Sequence, residues 1–349
     1  MRMLSPTPSR IIGGMFGFDE IPIPFGPTPT FLSDNTVLLA NARSGIALLT
    51  EHLAPANVWM PSYFCGHVLK IIAARAAALR FYEVNYDLAL TSWTWIDNVQ
   101  QNDLVVVADY FGFPCDSQFF GRVRERGAWV LEDACQALLT EGVGRQADFV
   151  LFSPRKFLGV ADGGILSINR GVAPETLRLE QPPAEWWLKA FSALVLRREF
   201  DLHGGERRWF ELFRETDSEG PVGPYAMSEI TRLLLQHGFD YTMIAQQRID
   251  NYRTLLGSLK DVALFPTLPA GVVPLGFPIR VQNRDHVRQA LFNQEMYPPV
   301  HWPIKGVIPE TFTDSHRLET VIMTLPCDQR YGSDDMERMI DVVLKEILP

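Results

Sequence analysis

From Thr36 to Ile168 the chain alternates short apolar runs with stretches of helical pattern, and this alternation limits its possible folds more than any other feature. The runs are Val37–Ala40, Val58–Met60, Leu79–Tyr82, Leu104–Ala108, Trp129–Leu131, Phe149–Phe152 and Gly164–Ile168. Most are separated by roughly 15–25 residues, room enough for a crossover helix. Ser44–Leu53 and Gly66–Ala78 are two such stretches. Strands joined in this way lie parallel, with helices on both faces. The pattern predicts an α/β protein whose large domain holds a mainly parallel seven-stranded sheet. In such a sheet, reactive groups gather just beyond the carboxyl ends of the strands.

The flanking segments suggest further divisions. Residues 1–35 are rich in Pro and Gly (IPIPFGPTPT) and read as an extended N-terminal arm. The large domain spans 36–235, interrupted at 171–222 by the Trp-bearing stretches EWWLKAFSALVL and ERRWFELF, a helical insertion or lid. A long helical pattern runs from Met227 to Leu259. Short strands (Val272–Pro274, Phe277–Val281) follow, then a helix over Arg284–Glu295 and an amphipathic helix over Ser333–Leu348. Residues 236–349 thus read as a smaller C-terminal α+β domain, and 349 residues suit a large and a small domain together.

Charge and cysteine usage narrow the function. Asp and Glu number 41 against 32 Lys and Arg, a net charge of −9, so no general field draws the chain to nucleic acid or anionic lipid. A local basic pocket stays open. No run approaches the ~20 apolar residues of a membrane span, and MRMLSPTPSR lacks the apolar stretch of a leader, so a cytoplasmic protein is expected. Cys65, Cys115, Cys135 and Cys327 are widely separated, without CxxC or HExxH, so reduced thiols and no metal site are expected.

Three local patterns carry chemistry. Lys156, in SPRKFLGVADGG, follows an apolar strand and precedes another. At a strand end its amine can be held neutral and form a Schiff base; a salt-bridged surface lysine has the same local sequence. Ser153 and the nearby glycines offer donors to a phosphate. Asp133 follows the strand WVL, where a carboxylate can pair with a protonated pyridine nitrogen and keep that ring an electron sink. Gln136 lies one turn on, within reach of a ring phenolic oxygen. Asn41-Ala42-Arg43-Ser44-Gly45 opens a helix, and its free N–H groups suit a phosphate. Each pattern alone is weak. In this order and at strand ends they specify a pyridoxal phosphate site: phosphate cup, ring-nitrogen acid, Schiff-base lysine.

The order ARSGIALL, VWMPSYFC, VVVADYFGFPCD, VLEDACQALL and DFVLFSPRKFLGVADGG resembles the DegT/DnrJ/StrS family of sugar aminotransferases, pyridoxal-phosphate-dependent enzymes of fold type I. The resemblance runs over residues 35–345, through AMSEI, QRIDNYRTLL, FPIRVQNRD and LPCDQRYGSDDMERMIDVVL. It implies a homodimer with interface active sites that moves an amino group from glutamate or glutamine to a keto group, typically of a nucleotide-linked deoxysugar. Lys156 would be the Schiff-base lysine and proton shuttle, with Asp133 on the ring nitrogen and Gln136 on the ring oxygen. Ser44, Gly45 and Ser153 would hold the phosphate, and Phe64 of PSYFC would stack on the ring, the usual stacking position falling on Cys65. His301 and Tyr110 are expected to face substrate.

The chain departs from that family in two places. The loop before Lys156 is shortened to SPRK, and the helix-start pattern with Asn and Arg becomes Gly223-Pro224-Tyr225-Ala226. Pro224 cannot replace the amide that normally reaches the neighbouring subunit's phosphate, and Arg155 offers a positive charge in its stead. Two rival readings remain: a lyase, dehydratase or racemase on the same fold, or a non-catalytic relative.

Overall fold

A computed structural model describes residues 12–13, 15, 29–75, 77–171 and 177–347. Most of the arm expected over 1–35 lies outside the described residues, as do positions 172–176 of the insertion. The central sheet has seven strands: β2 (Thr36–Leu39), β3 (Asn57–Pro61), β4 (Ala78–Tyr82), β5 (Leu104–Ala108), β6 (Trp129–Asp133), β7 (Phe149–Phe152) and β8 (Gly164–Ile168). Their order is β2-β8-β7-β6-β5-β3-β4. β5, β7 and β8 are buried along their whole length, which is why they read as unbroken apolar runs.

Pairing is parallel from β4 through β3, β5 and β6 to β7, while β8 runs antiparallel to both β7 and β2. The reversal follows from the β7–β8 connection, which holds only a 3-10 turn (Pro154–Lys156) and no crossover helix. Helices α1 (Ala42–Leu53), α2 (Gly66–Ala73) and α3 (Gln118–Glu125) fill three of the expected crossovers. The β6–β7 link is a run of turns instead, tied down where the Gly144 N–H donates to the Glu132 carboxylate.

A second core surrounds the two-stranded antiparallel sheet of β9 (Phe277–Arg280) and β11 (Ile322–Leu325). Helices α7 (Tyr241–Leu259), α8 (Arg284–Asn293) and α10 (Ser333–Ile347) pack around it, with α9 (Thr313–Val321) leading into β11. Met336, Met339, Ile340 and Val343 of α10 recur at helical spacing and are buried there. β1 (Ile12–Gly13) pairs in parallel with β10 (Met296–Tyr297). The strand expected at Val272–Pro274 is absent. These residues form an irregular buried loop whose Val273 N–H donates to the Thr140 hydroxyl rather than to a neighbouring strand.

The insertion is a helical hairpin of α4 (Ala184–His203) and α5 (Arg208–Ser218), followed by α6 (Glu229–His237). Tryptophans and one arginine close it. The Trp186 indole donates to the Thr216 carbonyl at 2.9 Å, and the buried Arg197 guanidinium lies 4.3 Å over Trp209.

Candidate active site

The ends of β6 and β7 set the site. Asp133, the last residue of β6, stands in register with Ala108 of β5 and Leu151 of β7. Its carboxylate accepts the Cys135 N–H at 3.0 Å, which turns the chain so that Gln136 points inward. Gln136 is 3% exposed; its Oε1 accepts the Phe111 N–H at 2.7 Å, while its Nε2 is buried without a partner. Phe111 takes up the left-handed conformation (φ +55) that aims this N–H.

Beyond β7, Ser153 leads into the 3-10 turn that ends at Lys156, and the Lys156 N–H donates to the Ser153 carbonyl. The carbonyl of the next residue, Phe157, is held from the second core by Arg248 (3.3 Å) and by Gln329 (2.7 Å). Arg248 is fully buried, donates also to the Pro274 and Leu275 carbonyls, and lies 4.5 Å over the Phe157 ring. Burial lowers its pKa to about 10, so it stays charged at neutral pH. Nothing in the local sequence singled it out.

Among the described residues Lys156 makes no ion pair or side-chain hydrogen bond, which removes the salt-bridged surface reading. It lines a cavity of about 680 Å³ together with Arg155, Trp209, Phe213, His301 and Thr324. Two neighbours locate its charge. Burial raises the Cys135 thiol pKa, with Asp133 adding to the shift and Lys156 opposing it. Burial and the Lys156 charge lower the His301 pKa to about 3, so the imidazole is neutral and pairs with the Thr324 hydroxyl at 3.0 Å. Asp133 and Lys156 therefore act on one thiol, from adjacent strand ends.

Three aromatic side chains from the ends of β3 and β5 face Trp302. Its ring centroid lies 5.8 Å from Phe64, 5.9 Å from Tyr63 and 6.3 Å from Tyr110. The Tyr63 hydroxyl bonds the His301 carbonyl and receives the Trp302 N–H at 3.0 Å, while Tyr110 donates to the Tyr63 carbonyl at 2.6 Å. Phe64, Tyr110 and His301 are thus brought to one wall by Trp302. Beneath Asp133 lies a buried acid pair: burial and the Glu132 charge raise the Asp109 pKa well above the usual carboxylate range.

The start of α1 is different. Ser44 is fully buried, with its hydroxyl 3.4 Å from the Pro221 carbonyl and accepting the Gly223 N–H at 3.3 Å. Asn41 caps the helix by accepting the Ser44 N–H and donates its own amide to the Pro221 carbonyl at 2.6 Å. Gly45 meets Leu151: a Cβ there would stand 2.5 Å from the leucine's Cδ1. The segment between α5 and α6 therefore covers the helix start where the phosphate cup was expected.

A family model described as the DegT/DnrJ/EryC1/StrS aminotransferase family matches residues 99–344. No curated protein matches the sequence significantly. Solved structures similar in fold include Helicobacter pylori PseC, an aminotransferase involved in the biosynthesis of pseudoaminic acid (TM-score 0.67, 15% identity, 96% of this chain and 99% of that one). S. venezuelae DesV, crystallised with a ketimine intermediate, gives TM-score 0.65 at 16% identity over 94% of this chain and 91% of its own. The aminotransferase TlmJ from Streptoalloteichus hindustanus gives 0.62 at 20% identity over 92% and 91%. At such identities the likeness is one of fold. No described helix is long and apolar enough to cross a membrane.

Proposed function

We propose that this chain, which belongs to the DegT/DnrJ/EryC1/StrS aminotransferase family, moves an amino group from glutamate or glutamine to a keto group of a nucleotide-linked deoxysugar or a related metabolite. The family is pyridoxal-phosphate-dependent, and the residues at the β6 and β7 ends fit that cofactor. The observation that carries the reading is a buried, unpaired donor, Gln136 Nε2, set one turn after Asp133 and next to Cys135, the thiol on which Asp133 and Lys156 both act; the Lys156 amine has no described partner, and the cavity it lines reaches neither Asp133 nor Gln136. A ring with an oxygen for Gln136 and an N–H for Asp133 would complete them.

When bound, pyridoxal phosphate supplies an electron sink for breaking a C–H bond beside nitrogen. Asp133 would hold the proton on the ring nitrogen, and Gln136 Nε2 would donate to the ring oxygen. Lys156 would attach the cofactor and then, once freed, carry a proton to and from the carbon under attack. Ser153 would serve the phosphate end, joined by Ser44 and Gly45 once the segment over α1 opens, and Phe64 the ring face. His301 and Tyr110 would face substrate, with His301 a neutral hydrogen-bonding group since its proton is lost at about pH 3. We further propose a cytoplasmic homodimer with active sites at the subunit interface.

The test is nitrogen transfer. The protein loaded with pyridoxal phosphate is mixed with isotopically labelled glutamate or glutamine and nucleotide-linked keto sugars. Labelled nitrogen recovered in the sugar supports the reading. Release of ammonia or racemised amino acid with no transfer to any keto acceptor overturns it.

A further inference from the structure

A phosphate dianion needs cations or N–H donors, and at the start of α1 the cap amide, the Ser44 N–H and the Ser44 hydroxyl are already engaged by the chain. Asn41 and Ser44 bond the Pro221 carbonyl, and the Gly223 N–H is taken up by the Ser44 hydroxyl. Arg155 is placed otherwise. It precedes Lys156 in the same turn and lines the same cavity. Among the described residues its guanidinium makes no hydrogen bond, although it carries five donors. Its one ion-pair partner, the Asp217 carboxylate, stands 3.9 Å away, well beyond a charge-assisted hydrogen bond. The Phe213 ring lies 5.9 Å off, and the buried Asp162 carboxylate, held by Ser228 and Thr231, adds a more distant opposite charge.

Arg43 reaches the same residue from outside the lining of that cavity, its Nη2 donating to the Asp217 carbonyl at 2.8 Å. Two guanidinium groups thus converge on Asp217, and the Arg43 charge joins burial in opposing the charge on Arg155. The carboxylate that answers them is poorly suited to stay. Asp217 lies in the last turn of α5, the negative end of the helix dipole, and its side chain is 49% exposed. A dianion with three acceptor oxygens satisfies a planar guanidinium better than one distant carboxylate.

We propose that Arg155 and Arg43 form the anion clamp for the cofactor's phosphate, and that the Asp217 carboxylate is a resident stand-in which the phosphate displaces. The clamp rests on the reading of Lys156 as the cofactor's attachment point. It supplies within one chain the contact that Pro224, lacking an amide, does not offer.

The test compares pyridoxal phosphate with pyridoxal, which has the same ring and no phosphate. Each is titrated into cofactor-free full-length wild type, Arg155→Met and Asp217→Asn. The readouts are visible absorbance of the lysine-bound ligand and quenching of tryptophan fluorescence. Arg155→Met is expected to weaken pyridoxal phosphate roughly 10- to 100-fold and to leave pyridoxal within about twofold. Asp217→Asn is expected to tighten pyridoxal phosphate several-fold without changing pyridoxal. Equal effects of Arg155→Met on both ligands, or none on either, overturn the clamp, as does weaker phosphate binding in Asp217→Asn. If wild type takes up neither ligand, the attachment reading falls and the clamp with it; if wild type binds and Arg155→Met matches it, the clamp alone falls.

Discussion

The two ends of the candidate site differ in what they leave unpaired. At the ends of β6 and β7 a buried amide nitrogen and a lysine amine stand without partners among the described residues. At the start of α1 the cap side chain, the Ser44 hydroxyl and the Gly223 N–H are all engaged by the chain itself. A buried donor without a partner costs about 1–3 kcal/mol, so the strand-end region carries an unmet cost that a ligand relieves. At the helix start the cap and hydroxyl groups are already engaged, and an anion entering there must displace the Pro221 and Gly223 contacts. A ring-binding half poised for its ligand, beside a phosphate half closed by its own chain, makes the cofactor's affinity depend on opening the second.

Removing the amine attacks the strand-end half and gives the largest expected effect. Lys156→Ala should lower amino transfer at least roughly 10³-fold and abolish the visible absorbance of lysine-bound cofactor. Its stability should stay within about 0.5 kcal/mol of wild type, because no ion pair or hydrogen bond is lost. A urea melt beside a half-reaction assay checks both. A variant that unfolds would show that this amine is structural and that the half is not poised.

Arg248→Met comes next, since it loosens the turn without touching the amine. The buried carbonyls of Phe157 and Pro274, the half-buried carbonyl of Leu275 and the Gln329 side-chain oxygen would lose a charged donor. We expect a loss of about 3 kcal/mol in urea denaturation, with Gln329 keeping one bond to Phe157. A loss confined to activity at unchanged stability would mean that the turn is held elsewhere.

These expectations also separate what the sequence could disclose from what it could not. Leu104–Ala108 and Gly164–Ile168 were legible to the residue because fully buried strands are written as apolar runs. The reversed direction of β8 was not, since an apolar run reads alike in either orientation. Val272 and Val273 resemble a strand and are buried, yet Pro274 lacks an N–H and Thr140 claims that of Val273. Asp133 and Gln136 stand out because they lie at and just past the end of β6, and Lys156 because it follows β7 within a few residues. The cover over α1 depends on contacts between residues 174 to 180 positions apart, and Arg248 reaches Phe157 across 91. No local pattern encodes such distances.

Gly45→Ala sharpens the comparison at the closed half. The new methyl would stand 2.5 Å from Leu151 Cδ1, forcing that buried side chain to shift. Overpacking of this kind costs about 1–3 kcal/mol, and the helical gain of Ala over Gly returns nearly 1, leaving a net loss of about 1 kcal/mol. If Gly45 serves packing, thermal melts should show that loss while the preference for pyridoxal phosphate over pyridoxal stays at the wild-type value. A lost preference at unchanged stability would instead assign Gly45 to the phosphate.

A pH-dependent effect tests the layer under the strand-end half. Asp109 is 1% exposed, accepts the Cys115 N–H at 2.9 Å, and holds its proton well above the usual range because of burial and the Glu132 charge. In the unfolded chain an aspartate loses its proton near pH 4. From there up to the raised native value the folded protein binds one proton more, so its stability falls as pH rises. Asp109→Asn keeps the acceptor, offers Glu132 an amide donor, and has no proton to lose. The variant's stability should therefore fall less steeply than wild type's between about pH 5 and pH 8, by at most about 1.4 kcal/mol per pH unit. Parallel curves in urea melts across that range would mean that Asp109 is ionised in the folded protein. The floor beneath Asp133 would then carry a second negative charge, and the field that keeps a ring nitrogen protonated would belong to the pair rather than to Asp133 alone.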